Sequence, residues 1–464
     1  MAVANSTTFL APAHADSLAS ALIQAYQNNP QLNSQRAAVR ATDEGVPQAL
    51  SGYRPRVSVT ASGGEQSLSS LTKLSGASSG LPAGSGPVYV TQSGAVGTFG
   101  TGLTATQTLF DGFQTGNRTR QAESAVFAAR ETLRNTVQTV LLNAVTAYMN
   151  LLRDSAILDL QRRNVEVLQE QLRQTRDRFN VGEVTRTDVA QAESSLAAGR
   201  SQVLGAEATY KASVATYRQV IGVNPGHLAP GSPVDRFSPH SLNQSIASGT
   251  AQNPAVTTAQ YNVDVAELQV KVAEGALYPN LSLQGNLQKN WFPPGSLNTI
   301  QSFSASLVGQ LTVPIYQGGA EYSVIRQAKE TLGQRRIDFD TARDAARQSV
   351  VQAWGQLEAT KANIEATQAQ VQAAEIALNG VREEARVGQR TTLDVLNAQQ
   401  TLVNARVAVV TAQHDRVVAS YTLLAAVGRL SPQVLGLRVP VYDARVHYHQ
   451  VRDSWAGVRT PDGR

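Results

Sequence analysis

The chain has no cysteine in 464 residues. That excludes disulfides, thiolate metal sites, a Cys nucleophile and lipidation of an N-terminal Cys. Aromatic residues are only 6% although hydrophobic residues reach 42%. Such a composition suits long, thinly packed helices and polar-faced strands better than a large aromatic core. No run of 18 apolar residues occurs anywhere, so the sequence has no transmembrane helix. A membrane role would need β-strands. The net charge of +5 is spread evenly, with Lys and Arg interleaved among Asp and Glu. No basic block alternates with aromatics, which argues against nucleic-acid binding. The six histidines never fall at helical ligand spacing, and His447 and His449 flank Tyr448 with no third ligand nearby. No Gly-rich loop follows a strand and no Ser/His/Asp arrangement can be argued. The expectation is a protein that is not an enzyme and uses no cofactor or metal.

What is present is a duplication. Val181-Gly182-x-x-Thr185-x-x-Asp188-Val189 returns as Val387-Gly388-x-x-Thr391-x-x-Asp394-Val395, 206 positions later. Arg120-Gln121-Ala122 and Arg326-Gln327-Ala328 share that offset, as do Gly222 and Gly428. Nearer the start of each half the offset is 224, pairing Asn29-Pro30 with Asn253-Pro254. The extra length in the first half falls in the Gly/Ser-rich stretch 67–94, read as a surface loop.

Each half has the same predicted order. A helical segment of about 35 residues comes first (16–50 and 241–276). Strand signals follow from Tyr53-Arg54-Pro55 and Tyr278-Pro279. The clearest strand, Phe303 to Ile315, alternates Phe303, Ala305, Leu307 and Leu311 with Ser302, Ser304, Ser306 and Gln310. In the first half Leu103, Ala105 and Leu109 alternate with threonines, although Gln107 interrupts the apolar row. Trp291 and Phe292, in the second hairpin's loop, read equally as barrel-rim aromatics or as loop packing. Proline-free helical patterns then run over 112–179 and 318–385. Val137, Ala144, Leu151, Leu158, Val165, Leu172 and Phe179 fall on one seven-residue spacing, as do Val350, Leu357, Ile364, Val371, Leu378 and Ala385. After the repeated turn, a helix of about 35 residues returns (186–220 and 392–426).

The domain reading is a leader or signal remnant at 1–15, repeat one at 16–222, a Pro-rich linker at 223–240, repeat two at 241–432 and a tail at 433–464. Ala13-His14-Ala15 before Asp16 resembles a signal-peptidase site, but the preceding apolar run is short, so a disordered leader reads equally well. Val439 to Val446 is read as a short strand in the tail. The fold class is mixed α and β, mostly α: long helical hairpins plus two β-hairpins supplying four strands. Four strands cannot close a membrane barrel, whose smallest examples have eight. An open edge cannot sit in lipid, so several chains must share one barrel.

Gly182 and Gly388 supply the positive φ that a helix reversal needs. Thr185 with Asp188, and Thr391 with Asp394, fit capping boxes at the returning helices. The order helix, hairpin, long helix, V-G turn, helix, present twice over residues 16 to 432, resembles the TolC-type outer-membrane efflux and secretion channels. The stretches RFNVGEVTRTDV and VGQRTTLDVLNAQQTL carry the resemblance.

The resemblance implies a homotrimer in outer-membrane lipid of a Gram-negative bacterium, with a twelve-stranded barrel and a helical tunnel reaching through the periplasm. It implies a periplasmic adaptor protein and an inner-membrane ABC or proton-driven transporter as partners. It places adaptor docking at Val181, Gly182, Glu183, Val387, Gly388 and Gln389. It places a periplasmic gate at Asp394, Asn397, Arg390, Asp188 and Thr187, with Asp394 forming a ring of three carboxylates. Asn397 stands where the family often has a second acid, and Ala385 where it has a tyrosine that partners Asp188. A porin-like diffusion channel and a coiled-coil surface stalk are the alternatives from other classes.

Overall fold

The computed structural model describes residues 17–74, 88–291, 301–461 and 463. The leader expectation and Phe292 therefore lie outside the described residues. The chain divides into two compact units. One gathers Thr42–Ala125, Val263–Gln334 and the tail from Tyr448. The other gathers the segment ending at Ala41 with Val126–Asn262 and Arg335–His447.

The first of these units holds a four-stranded antiparallel sheet in the order β1-β2-β3-β4 (β1 Arg56–Leu74, β2 Val88–Phe110, β3 Asn280–Trp291, β4 Gln301–Thr312). The register lines up Val57, Ala105, Gly285 and Leu307 across all four strands, and next to them Val59, Leu103, Leu287 and Ala305. Because strand side chains alternate faces, these rows form one apolar face. That face is bare within the chain: Leu307 is 74% exposed and Phe303 70%. Gln107, the polar residue in the apolar row, donates to the Tyr53 carbonyl at 2.9 Å, so its amide is tied to backbone. Trp291 ends β3 on the apolar face, its ring 5.5 Å from Phe99 and under Lys289 Nζ at 5.0 Å. At the other end, Phe113 stands edge-on to Phe110 and to Tyr278. The apolar rows thus end in aromatics on both sides.

Two strand expectations need correction. The stretch 67–94 is not one loop, since β1 runs to Leu74 and β2 starts at Val88. Small residues such as Ser69, Ser93 and Gly94 imitate a loop in composition while pairing in register. β4 stops at Thr312 rather than Ile315, because Pro314 has no N–H to continue a ladder.

The long helices are α4 (Gln114–Asn180) and α8 (Ala320–Arg386), 67 residues each or about 100 Å of helix. The returning helices are α5 (Arg186–Ile221) and α9 (Thr392–Ala426). Buried Ala144, Leu151, Leu158 and Leu172, with Val350, Leu357 and Leu378, realise the seven-residue stripe. The helices predicted over 16–50 and 241–276 are each broken. The first becomes α1 (Leu18–Asn28), α2 (Pro30–Asp43) and α3 (Gly45–Leu50), and the second α6 (Leu242–Gln252) and α7 (Pro254–Gly275). Proline pushes the residue before it out of the helical region, and Asn29 and Asn253 are extended there, with ψ of 122° and 124°. Each Asn then does two jobs. Asn29 Oδ1 caps α2 by accepting from Gln31 and Leu32, while its Nδ2 donates to the Val220 carbonyl at the end of α5. Asn253 repeats both contacts, to Ala255 and to the Ala426 carbonyl of α9.

The tail strand expected over 439–446 is absent. Leu437 and Val439 pack on the buried core around Tyr148 and Tyr217. A helix, α10, occupies Ala444–Val451, capped where Asp443 Oδ1 accepts from Arg445 N at 2.9 Å.

Gly112 joins β2 to α4 at φ +66°, beside the Asp111 carboxylate that accepts from Thr115 N at 2.7 Å. A Cβ at Gly112 would collide with the Gly275 carbonyl oxygen and Tyr278 Cβ. A left-handed φ alone costs a residue with a side chain about 1–3 kcal/mol. Gly112→Ala should therefore lower the thermal midpoint of the purified protein clearly more than Gly388→Ala, where a Cβ meets nothing within 4 Å. Equal midpoints would show that the junction relaxes.

Candidate functional site

The repeated motif forms the two helical turns of one compact unit. In the first, Gly182 sits at φ +82° and its N–H donates to the Phe179 carbonyl, while Glu183 N donates to Arg178 O. In the second, Gly388 at φ +80° donates to Ala385 O and Gln389 N to Glu384 O. This pair of bonds satisfies carbonyls that the helix end leaves open, and it requires the left-handed residue that glycine provides. Val181 and Val387 are both more than 70% exposed, so each turn presents an uncovered apolar side chain.

Both predicted capping boxes are formed. Thr185 Oγ1 accepts from Asp188 N at 3.3 Å, and Asp188 Oδ2 accepts from Thr185 N at 2.9 Å. Thr391 and Asp394 repeat this at 3.2 and 3.0 Å. The bonds from Thr185 hold the Asp188 carboxyl below its ordinary range, the side chain first and then the backbone. For Asp394 the Thr391 backbone contributes most, then its hydroxyl, with Arg390 adding to the effect. A depressed folded-state pKa means the native turn favours the ionised acid. The contribution is complete above the ordinary carboxylate range and is lost as pH falls through the lower folded value. Amide protection, measured relative to the intrinsic exchange rate at each pH, should fall in the first turns of α5 and α9 on such acidification. Asp394→Asn should remove the pH dependence from α9 alone; a dependence that persists there would exclude the box as its cause.

The charges of the two turns are reversed in order. Arg178 Nε pairs with Glu183 Oε2 at 3.0 Å, so the cation precedes the glycine. Arg390 Nε pairs with Glu384 Oε2 at 2.8 Å, so the cation follows it. A groove of about 750 Å³ lies between the turns, lined by Arg178, Glu183 and Asp188 from one and by Arg382, Arg390 and Thr392 from the other. The Thr392 hydroxyl faces Asp188 and helps lower its pKa. Thus Asp188 and Arg390 share one groove. Thr187 and Asn397 are exposed on α5 and α9 and are not among its lining.

Three residues that sequence reading missed tie the hairpins together above the turns. Arg382 Nη2 donates to Gln399 Oε1 at 3.1 Å, and Gln399 Nε2 reaches Asn164 Oδ1 at 3.4 Å. Asn164 is 3% exposed and Gln399 8%. Asn164 directly precedes Val165 of the apolar stripe, so in the sequence it looks like that stripe's solvated flank. Leu396 of α9 packs with Leu168, Leu172 and Leu196 beside this link.

Comparison with known proteins agrees with this arrangement. The family model described as "Outer membrane efflux protein" matches residues 21–223 and 246–429. The chain is 43% identical over 455 residues to outer membrane efflux protein BepC of Brucella suis biovar 1, covering 97% of this chain and 93% of that one. It is 28% identical to outer membrane protein TolC of Escherichia coli K12, covering 72% and 70%. Among solved structures, the Campylobacter jejuni CmeC outer membrane channel superposes with a TM-score of 0.75 at 19% identity, over 94% of this chain and 89% of that one. Duplicated helical hairpins, a bare four-stranded sheet and matches across both halves lead to one assignment: the chain belongs to the outer membrane efflux protein family, and it is an outer-membrane exit channel rather than an enzyme.

Proposed function

We propose that three copies of the chain form one exit duct, in which twelve strands close a barrel in outer-membrane lipid. The observation that carries this is the sheet: among the described residues it has four strands, an apolar face left uncovered, and edges at β1 and β4 that stay unpaired. Unpaired backbone in lipid costs several kcal/mol per group, and pairing β1 of one chain with β4 of the next removes both edges. Residues 16–222 and 241–432 then act as two repeats, each giving one β-hairpin and one helical hairpin, with 223–240 as linker.

In this reading the turns are the periplasmic tips. Val181, Gly182, Glu183, Val387, Gly388 and Gln389 dock a periplasmic adaptor, which joins the duct to an inner-membrane ABC or proton-driven transporter. The 43% identity to an efflux protein supports an efflux assembly. Substrate passes unaltered, and its energy comes from the partner. Asp394 from three chains forms an acidic ring at the constriction, which favours cations and resists anion leak. Asn397 weakens that ring relative to one with a second acid. Arg390 of one chain reaches Thr187 and Asp188 of a neighbour and helps hold the constriction shut.

The test is co-purification of the native periplasmic adaptor with the detergent-extracted protein, before and after Val181→Asp with Val387→Asp. Recovery that is lost in the variant supports tip docking. Absence of any adaptor, with liposome conductance already open at rest, would instead make the protein an autonomous porin.

A further inference from the structure

Charge is distributed unequally over the two faces of the sheet. β1 to β4 contain four charged residues, Arg56, Glu65, Lys73 and Lys289. Strand side chains alternate, and the register puts Glu65, Lys73 and Lys289 on the side that bears Val57, Val59 and Leu287. Arg56 is on the other side, in the row Arg56, Thr106, Gln284 and Val308. That side is mainly hydroxyl and amide, as at Ser58, Thr60 and Ser304. Across it Thr104 Oγ1 donates to Asn286 Oδ1 at 3.3 Å. Among the described residues it holds no carboxylate and no cation besides Arg56.

Arg56 opens β1, at the end of the sheet where β2 leads through Gly112 into α4. It is exposed, and its side chain makes no hydrogen bond or ion pair with the described residues. Arg54, two residues earlier, is tied down instead. It donates to the Ser454 carbonyl and lies 4.6 Å from the Trp455 ring centroid. Pairing β1 with β4 of a neighbouring chain brings no acid either, since the polar side of β4 offers Ser302, Ser304, Ser306 and Gln310. The Arg56 charge therefore stays uncompensated in the closed barrel.

We propose that Arg56 is a specificity-determining residue of the duct. Three copies form a cationic collar inside the helical end of the barrel, which draws carboxylate and phosphate groups on passing cargo. The inference rests on the duct reading, in which the polar face lines the lumen. Rings of arginine favour anions as rings of acids favour cations. The collar therefore opposes in sign the acidic ring assigned to Asp394. With an uncharged lining around it, the collar sets the ionic preference of that section of the barrel.

The absence of native cysteine allows a direct test. Thr106→Cys puts a thiol opposite Arg56 in the register, and Asn290→Cys puts one on the same face at the far end of β3. The full-length protein, reconstituted in liposomes at about 0.1 M salt, where charges are screened beyond about 10 Å, is labelled with two water-soluble methanethiosulfonates. One carries a sulfonate and the other a trimethylammonium. The ratio of anionic to cationic labelling rates at Thr106→Cys should fall about threefold when Arg56→Gln is added. Arg56→Lys should preserve the ratio, and at Asn290→Cys Arg56→Gln should leave it unchanged. In the Arg390→Ala, Thr187→Val background, Arg56→Gln should also shift the reversal potential under a KCl gradient towards cations. If both thiols label but the ratio at Thr106→Cys ignores Arg56→Gln, the collar is overturned and the duct stands. If neither thiol labels, the polar face does not meet water and the duct reading falls with the collar. An unchanged reversal potential would overturn the role in selectivity.

Discussion

Leu307→Arg should abolish assembly in the outer membrane while leaving the chain expressed. Leu307 lies mid-strand in β4, in the row it shares with Val57, Ala105 and Gly285, and it is bare in the single chain. A lipid-facing Arg near the middle of a barrel strand costs about 2–4 kcal/mol. A trimer carries the substitution three times, so the penalty is comparable with the whole stability of an ordinary domain. Ser306→Arg is the matched control. Its side chain lies on the opposite, polar face, where a charge meets water inside the duct. Heat-resistant oligomer on gels of outer-membrane fractions should vanish for Leu307→Arg and persist for Ser306→Arg. The reverse pattern would mean that the faces are assigned the wrong way round.

The second large effect is on the gate. Arg390→Ala together with Thr187→Val should raise single-channel conductance in planar bilayers several-fold. Within one chain Arg390 is paired with Glu384, and its guanidinium is held charged by Glu384 and then Asp394. That pairing is exposed and by itself worth little, which leaves the cation available to a neighbouring chain's Thr187 and Asp188. Glu384→Gln serves to separate the two roles. If Arg390 acts only as a brace within its own turn, Glu384→Gln should open the channel as far as Arg390→Ala does. If it latches across chains, Glu384→Gln should change conductance little. The buried link of Arg382, Gln399 and Asn164 adds a further constraint that remains in the double variant. Full opening therefore requires more than the loss of Arg390.

Local chemistry was legible in the sequence. The capping boxes at Thr185 and Thr391 depend on residues three apart, and the glycines at 182 and 388 on a single φ. The long helices emerged from heptad spacing to within two residues at either end. What escaped was whatever depends on distant partners. Asn29 looks like the residue before a helix-breaking proline; that it also holds the end of α5 follows only from Val220, 191 positions away. Asn164 looks solvated because it lies beside, rather than on, the apolar stripe of α4, and Gln399 because it is a polar residue set among the apolar positions of α9. The reach of β1 and β2 was hidden because Gly and Ser suit both loops and strands with small side chains. The segment near 440 has apolar spacing that suits a strand, but Leu437 and Val439 pack on the core without pairing and the Asp443 cap starts a helix at Ala444.

The central claim is that one open sheet becomes a closed barrel only when three chains contribute. Native mass spectrometry of the detergent-extracted protein tests it most directly. The account predicts a single dominant species at three times the 49.4 kDa chain mass. A dominant species of one chain, or of two chains closing eight strands, would contradict it.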